Sequence, residues 1–162
     1  MYRVGTGHDI HRFEAGRPLV LGGVRVPYGW GLAGHSDADV LTHAIMDALL
    51  GALALGDIGR HFPDTDPQWK NADSLALLAR VVEMIGEQGW QVGNLDAILL
   101  AEAPRLAPYL PAMRERLASA LGVEADRVSV KAGTHERMGS IGRGEGIAAT
   151  AVVLLERTSS AP

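Results

Sequence analysis

The sequence predicts an α/β domain, an α+β sandwich whose mixed β-sheet carries about three helices on one face. Three observations predict it. Residues 40–55, 73–88 and 110–121 place apolar side chains at helical spacing, and they alternate with segments of strand character. Residues 147–155 are apolar on both faces: Ile147, Ala149, Ala151 and Val153 on one, Ala148, Val152 and Leu154 on the other. Such a strand is buried from both sides. With so few helices, the second sheet face is left for another subunit. No repeat or linker divides the chain, so residues 1–157 read as one domain and 158–162 as a disordered tail.

The elements follow in order. Residues 1–7 form a strand, from Tyr2 and Val4 onward. Residues 18–21 and 24–26 form two short strands about a Gly22-Gly23 turn. Residues 28–34, with three glycines, form a mobile loop. Ser36 and Asp39 have capping-box spacing and start a helix with Leu41, Ile45, Leu49 and Leu50 on its apolar side. Asp39, His43 and Asp47 lie four apart on the same helix, which ends near Gly56. Residues 56–67 are too rich in Gly, Pro and Asp for regular structure. A second helix spans 73–88, with Leu75, Leu78, Val82 and Ile85 as its buried stripe and Gly89 as its stop. A strand at 92–101, a loop at 104–107 and a third helix at 110–121 follow, the helix burying Leu110, Met113, Leu117 and Leu121. Val128 and Val130 alternate with Ser129 and Lys131 in a strand at 127–132, and 134–143 is a loop or short turn.

Composition narrows the function. A formal charge of −4 argues against nucleic acid as a partner, although one small phosphorylated ligand needs only local donors. The sequence has no cysteine, which excludes disulfides, thiolate ligands and a Cys nucleophile. Any metal is therefore held by His, Asp, Glu or backbone oxygen. There is no basic-then-apolar leader pattern, and the longest apolar stretch contains His43 and Asp47 and is shorter than the roughly 20 residues of a membrane span. The expectation is a soluble, cytoplasmic protein without a membrane partner.

The chemistry centres on Gly5-Thr6-Gly7-His8-Asp9-Ile10-His11-Arg12-Phe13. In a strand, Asp9 and His11 share a face, and His8 points away. His43 is the candidate third ligand. Two imidazoles and a carboxylate suit zinc or a similar divalent ion and leave a position open for substrate. Asp39 or Asp47 is placed to orient His43. By spacing alone, a strand-end Asp, a solvated His and a helix His paired with Asp47 fit as well. His35-Ser36 precedes a helix start, where free N–H groups bind anions, or Ser36 simply caps. Asp57-Ile58-Gly59 and Phe62-Pro63-Asp64-Thr65-Asp66 suit a polyol, or ordinary turns. Lys131-Ala132-Gly133-Thr134-His135-Glu136 reads as a phosphate cradle, with Glu136 available to Mg²⁺. Arg143 and Glu145, between glycines, read equally well as an interface ion pair. His8 and His61 have no partner at useful spacing.

Eight segments in order resemble the 2-C-methyl-D-erythritol 2,4-cyclodiphosphate synthase family of the non-mevalonate isoprenoid (MEP, terpenoid) pathway. They are residues 7–13, 21–24, 34–40, 43–52, 55–59, 62–66, 101–106 and 142–147. The resemblance implies a phosphorus–oxygen lyase that forms a homotrimer with active sites between subunits. It implies Zn²⁺ on Asp9, His11 and His43, and Mg²⁺ or Mn²⁺ on Glu136 with the substrate diphosphate. The substrate would be 4-diphosphocytidyl-2-C-methyl-D-erythritol 2-phosphate and the products the cyclic diphosphate and CMP.

The resemblance also implies residue roles. His35 and Thr134 would stabilise the transition state. Substrate would meet Asp9, Ile10, His11, His35 and Ser36. Its erythritol would meet Asp57, Ile58, Gly59, Phe62, Pro63, Asp64, Thr65 and Asp66. The cytidine diphosphate would meet Ala101, Glu102, Ala103, Pro104, Arg105, Leu106 and Ala107, together with Gly133, Thr134, His135 and Glu136. Arg143 matches a further ligand position. Ser140 stands where the family has a Phe, so no binding role is assigned to it. The rival readings are a zinc phosphohydrolase, for which a further metal-ligand cluster is missing, and a non-catalytic trimer that binds CDP or isoprenoid diphosphates.

Overall fold

The computed structural model describes residues 1–158. Its main sheet has the order β4-β1-β7-β5-β6. The strands are β1 (Tyr2–Ala15), β4 (Trp30–Leu32), β5 (Trp90–Leu100), β6 (Val128–Gly133) and β7 (Gly146–Arg157). β1 pairs antiparallel with β4 and β7, β7 antiparallel with β5, and β5 parallel with β6. The hairpin β2 (Leu19–Leu21) and β3 (Val24–Val26) stands apart. Gly22 and Gly23 turn it with φ of 56° and 71°, the left-handed values such a turn requires.

One sheet face carries α1 (Val40–Ala52), α3 (Ser74–Glu87) and α4 (Leu110–Leu121), with α1 seated on β1 and β7. The seating is set by two glycines. A Cβ on Gly5 would lie 1.9 Å from the Ala48 carbonyl oxygen, and one on Gly7 1.9 Å from that of Ala44. Two residues of strand advance about 6.6 Å, and four of helix about 6 Å. The helix therefore keeps step with the strand, and the next pair in the sequence of contacts brings Asp9 and His11 to the His43 end of α1. Leu41, Ile45, Leu49, Leu78, Ile85, Leu99 and Val153 close the core.

The opposite sheet face is largely open among the described residues, although Ala148, opposite Ile10, is buried. Val4, Ile10 and Val152 stand 66%, 52% and 45% exposed there. β7 is buried on its helix side, as its composition predicts, and only partly on the other.

Several local expectations are corrected. β1 continues to Ala15, because β7 pairs with it as far as Arg12. Residues 28–34 contain β4, paired with β1 at Phe13–Ala15. There is no capping box at Ser36. Asp39 caps α1 by accepting from Thr42 N, and it also takes the Gly22 and Gly23 N–H groups at 2.9 and 2.8 Å. α1 ends at Ala52, earlier than Gly56. The 56–67 stretch contains the single turn α2 (Ile58–His61), capped by Asp57, and a 3₁₀ turn begins at Pro67. α3 buries Leu77, Leu78, Val81 and Ile85, a stripe rotated from the predicted one. The loop or short turn expected at 134–143 is as read and contains the single turn α5 (Gly139–Gly142). Thr158 is held by two hydrogen bonds to the Gly89 carbonyl, and the tail expected at 159–162 lies outside the described residues.

Candidate active site

Asp9, His11 and His43 bring one ligand atom each within 4.8 Å of one another. Asp9 Oδ2 lies 2.8 Å from His11 Nε2 and 3.1 Å from His43 Nδ1, and the two nitrogens are 3.3 Å apart. The far side of each ring explains why these atoms suit a cation. The Nδ1–H of His11 donates to the Ala33 carbonyl at 2.5 Å, so a neutral ring turns a bare Nε2 toward Asp9. Nε2 of His43 meets the hydroxyls of Ser36 and Ser74, both at 3.1 Å. Lone pairs of like sign at these separations need a cation or protons between them. Burial alone would raise the Asp9 carboxyl, but hydrogen bonds and charge from His11 and His43 outweigh it and hold it well below the usual carboxylate range. Burial alone would lower His11, yet the hydrogen bond and charge of Asp9 raise it.

Neither Asp39 nor Asp47 orients His43, contrary to the four-residue spacing. Asp39 is spent on the β2–β3 turn and on Thr42. Asp47 accepts the Ile58 N–H at 2.8 Å, tying α1 to the 57–59 segment. Burial first, and then the charge of Asp57, push Asp47 upward. The partners of His43 are instead Ser36 and Ser74, from a loop and from the start of α3. No local pattern announces the second, because it lies 31 residues away.

The triad opens on a cleft of about 400 Å³. His35, Ser36, Ile58, Gly59, Phe62 and Asp64 line it, and Met46, Trp69 and Leu77 add an apolar wall that the sequence reading missed. Phe62 and Trp69 meet edge to face at 5.2 Å. The Nε2–H of His35 donates to the Asp66 carbonyl at 3.1 Å. Asp57, Pro63, Thr65 and Asp66 are off the wall: Asp57 caps α2 and Asp66 caps the 3₁₀ turn. Ile10 points its side chain to the opposite sheet face, so only its backbone faces the triad side.

A second cleft, of about 240 Å³, is lined by Ala101, Glu102, Pro104, Arg105, Leu106, Ala107, Gly133 and Thr134. It shares no residue with the first. Glu102 Oε1 accepts the N–H groups of His135 and Arg137 at 2.9 and 3.2 Å, holding a turn in which Glu136 and Arg137 both have positive φ. The Thr134 hydroxyl donates to Glu136 Oε1 at 3.1 Å. Ala103 and the His135 side chain are not on this wall. Within one chain Glu136 does not join the triad, which is the one metal-ligand cluster among the described residues.

Lys131 is engaged in an exposed ion pair. It donates to Asp96 Oδ2 at 2.6 Å across the parallel pair β5–β6, and that hydrogen bond lowers Asp96. Arg143 pairs with Glu145 at 2.6 Å, in neither cleft. His61 donates to the Leu55 carbonyl, and His8 meets Thr150 on the far face.

The mixed α/β fold, the open triad and its cleft define an enzyme with a candidate metal centre. The chain belongs to the YgbB family, which matches residues 2–156. A 2-C-methyl-D-erythritol 2,4-cyclodiphosphate synthase of Thermosynechococcus vestitus is 62% identical over 154 residues, 95% of this chain and 96% of the relative. The bifunctional IspDF of Campylobacter jejuni superposes with a TM-score of 0.95 at 42% identity, over 98% of this chain and 43% of that one. IspF of Plasmodium falciparum, solved as a CDP complex, gives a TM-score of 0.86 at 30% identity, over 98% and 97% of the two chains. No helix among the described residues is long and apolar enough to cross a membrane.

Proposed function

We propose that this chain converts 4-diphosphocytidyl-2-C-methyl-D-erythritol 2-phosphate to 2-C-methyl-D-erythritol 2,4-cyclodiphosphate and CMP. The observation that carries the reading is the triad of Asp9, His11 and His43, whose bare atoms converge at the edge of a cleft, in a chain 62% identical to a named synthase. An oxygen of the substrate's 2-phosphate attacks the β-phosphorus. The bond from that phosphorus to the bridging oxygen breaks, and CMP leaves with the electron pair. The attacking group arrives with the substrate, so the chain's work is positioning and charge neutralisation.

Asp9, His11 and His43 fit zinc in donor type and number, and bound Zn²⁺ supplies Lewis-acid polarisation of a phosphate oxygen. Glu136 would hold Mg²⁺ or Mn²⁺ beside the diphosphate. His35 and Ser36 stand at the triad; the Ser36 hydroxyl is free to donate to a phosphate, and His35 does so from Nδ1 when its ring carries both protons, Nε2–H staying on the Asp66 carbonyl. Ile58, Gly59, Phe62 and Asp64 enclose the erythritol, with Asp57, Pro63, Thr65 and Asp66 bracing them. Backbone groups of 101–107 and 133–136 hold the cytidine diphosphate, and the Thr134 hydroxyl turns from Glu136 to donate to phosphate once a cation takes that carboxylate. Arg143 is a further ligand contact.

The two clefts are separate in one chain. A homotrimer would set the triad cleft of one subunit against the second cleft of its neighbour, and the exposed Val4, Ile10 and Val152 would be its core. The protein would work in the cytoplasm, in isoprenoid synthesis. Mass spectrometry of the reaction tests the proposal: CMP and a cyclic diphosphate with no added water are expected. A linear, hydrated product would make it a phosphohydrolase, and no product at all a binding protein.

A further inference from the structure

We propose that Ser74, anchored by Asp37, is a positioning residue that selects the ring tautomer of His43 and so presents Nδ1 to the metal. Ser74 opens α3 and is fully buried. Its hydroxyl touches two groups, His43 Nε2 at 3.1 Å and, in a very short contact, Asp37 Oδ1. Asp37 also accepts the N–H groups of Ser74 at 3.0 Å and of Asp39 at 3.1 Å, so its oxygens act as acceptors throughout. A hydroxyl has one proton. Ser74 commits it to Asp37 and turns only a lone pair toward His43. A bare Nε2 there would set two lone pairs face to face in a buried place, which costs about 1–3 kcal/mol for the unsatisfied groups. Nε2 therefore carries the proton, and Nδ1 is left bare beside Asp9 and His11.

Ser36 cannot make this selection. Its hydroxyl also lies 3.1 Å from Nε2, but no carboxylate takes its proton, so it can donate or accept. With Nε2–H directed to Ser74, the Ser36 proton is free for a ligand in the cleft. The chain Asp37–Ser74–His43 thus couples the 35–39 loop and the start of α3 to the candidate metal centre.

The inference rests on the metal reading of the triad, and the test separates the two. Zn²⁺ affinity is measured by competition with a chromogenic chelator for wild type, Ser74→Ala, Asp37→Asn and Ser74→Thr. The Nε2–H of His43 is followed by nitrogen NMR in the zinc-loaded wild type. Wild type that takes up no zinc overturns the metal reading itself. If wild type binds, Ser74→Ala is expected to lose about 10–100-fold in affinity, the usual range for a partner behind a metal ligand. Asp37→Asn should lose less and Ser74→Thr, which keeps the hydroxyl, should recover most of it. A slowly exchanging Nε2–H is expected in wild type whatever the variants do. Ser74→Ala binding within about twofold of wild type, or a His43 ring protonated at Nδ1, would overturn the role given to Ser74.

Discussion

Gly7 lies so close to Ala44 that a Cβ on the glycine would come 1.9 Å from the alanine's carbonyl oxygen. The obstacle is helix backbone, which cannot rotate away as a side chain would. Gly7→Ala should therefore push α1 off β1, at a cost of at least about 3 kcal/mol, the upper end for overpacking. For a domain of this size that is a fall in Tm of about 6–12 °C. His43 adjoins Ala44, so the same variant should bind Zn²⁺ poorly even where it remains folded. A variant with wild-type Tm and metal content would show that the helix does not need the strand this close.

His35 and Asp9 line the same cleft but should fail differently when changed. Asp9→Asn removes the charge that joins both imidazoles, so bound metal and CMP release should vanish together. His35→Ala leaves the triad intact. It should cut CMP release about 10²–10³-fold, as loss of a group that stabilises the transition state does, with metal content unchanged. Metal analysis beside a CMP assay checks both, and loss of metal from His35→Ala would assign that residue to the metal centre instead.

Much of the site is legible because its candidate ligands sit on regular elements. Asp9 and His11 share a face by strand parity, and His43 faces them by helix periodicity. The eight ordered segments add the rest of the family resemblance. What the sequence hides is contact across long separations. Asp39 and Asp47 look like partners of His43 at a spacing of four, yet the hairpin turn and Ile58 claim them. Ser74 reaches His43 only because α3 packs on α1. Lys131 looks free for phosphate until β5 sets Asp96 beside it. β4 was unreadable among glycines, since its pairing is supplied by β1.

Glu102 gives a test of the second cleft. Its Oε1 holds the N–H groups of both His135 and Arg137. Glu102→Ala frees the turn that carries Thr134 and Glu136, and should weaken CDP binding roughly tenfold, equivalent to about 1.4 kcal/mol. Glu102→Gln keeps an acceptor oxygen and should bind nearly as wild type. Calorimetry with CDP measures both, and zinc affinity should not move in either. Equal losses in the two variants would point to charge rather than the hydrogen bonds.

The shifted groups of the triad set the pH response of the metal-free protein. Asp9 is held low, so its contribution to stability is present above about pH 4, its ordinary value, and fades only as pH falls through the depressed one. His11 is raised, so its contribution is complete below about pH 6.5 and is lost as pH rises through the raised value. Metal-free protein should accordingly be most stable in mildly acidic solution and lose stability on the alkaline side. Zn²⁺ takes the place of the His11 proton, so its affinity should climb with pH, about tenfold per unit for one displaced proton, and level off above the raised value. Denaturation curves at about pH 6 and pH 9, with and without zinc, read both effects. The alkaline loss should appear only in the stripped protein; a stripped protein equally stable at both values would mean that Asp9 and His11 do not share a proton in the folded state.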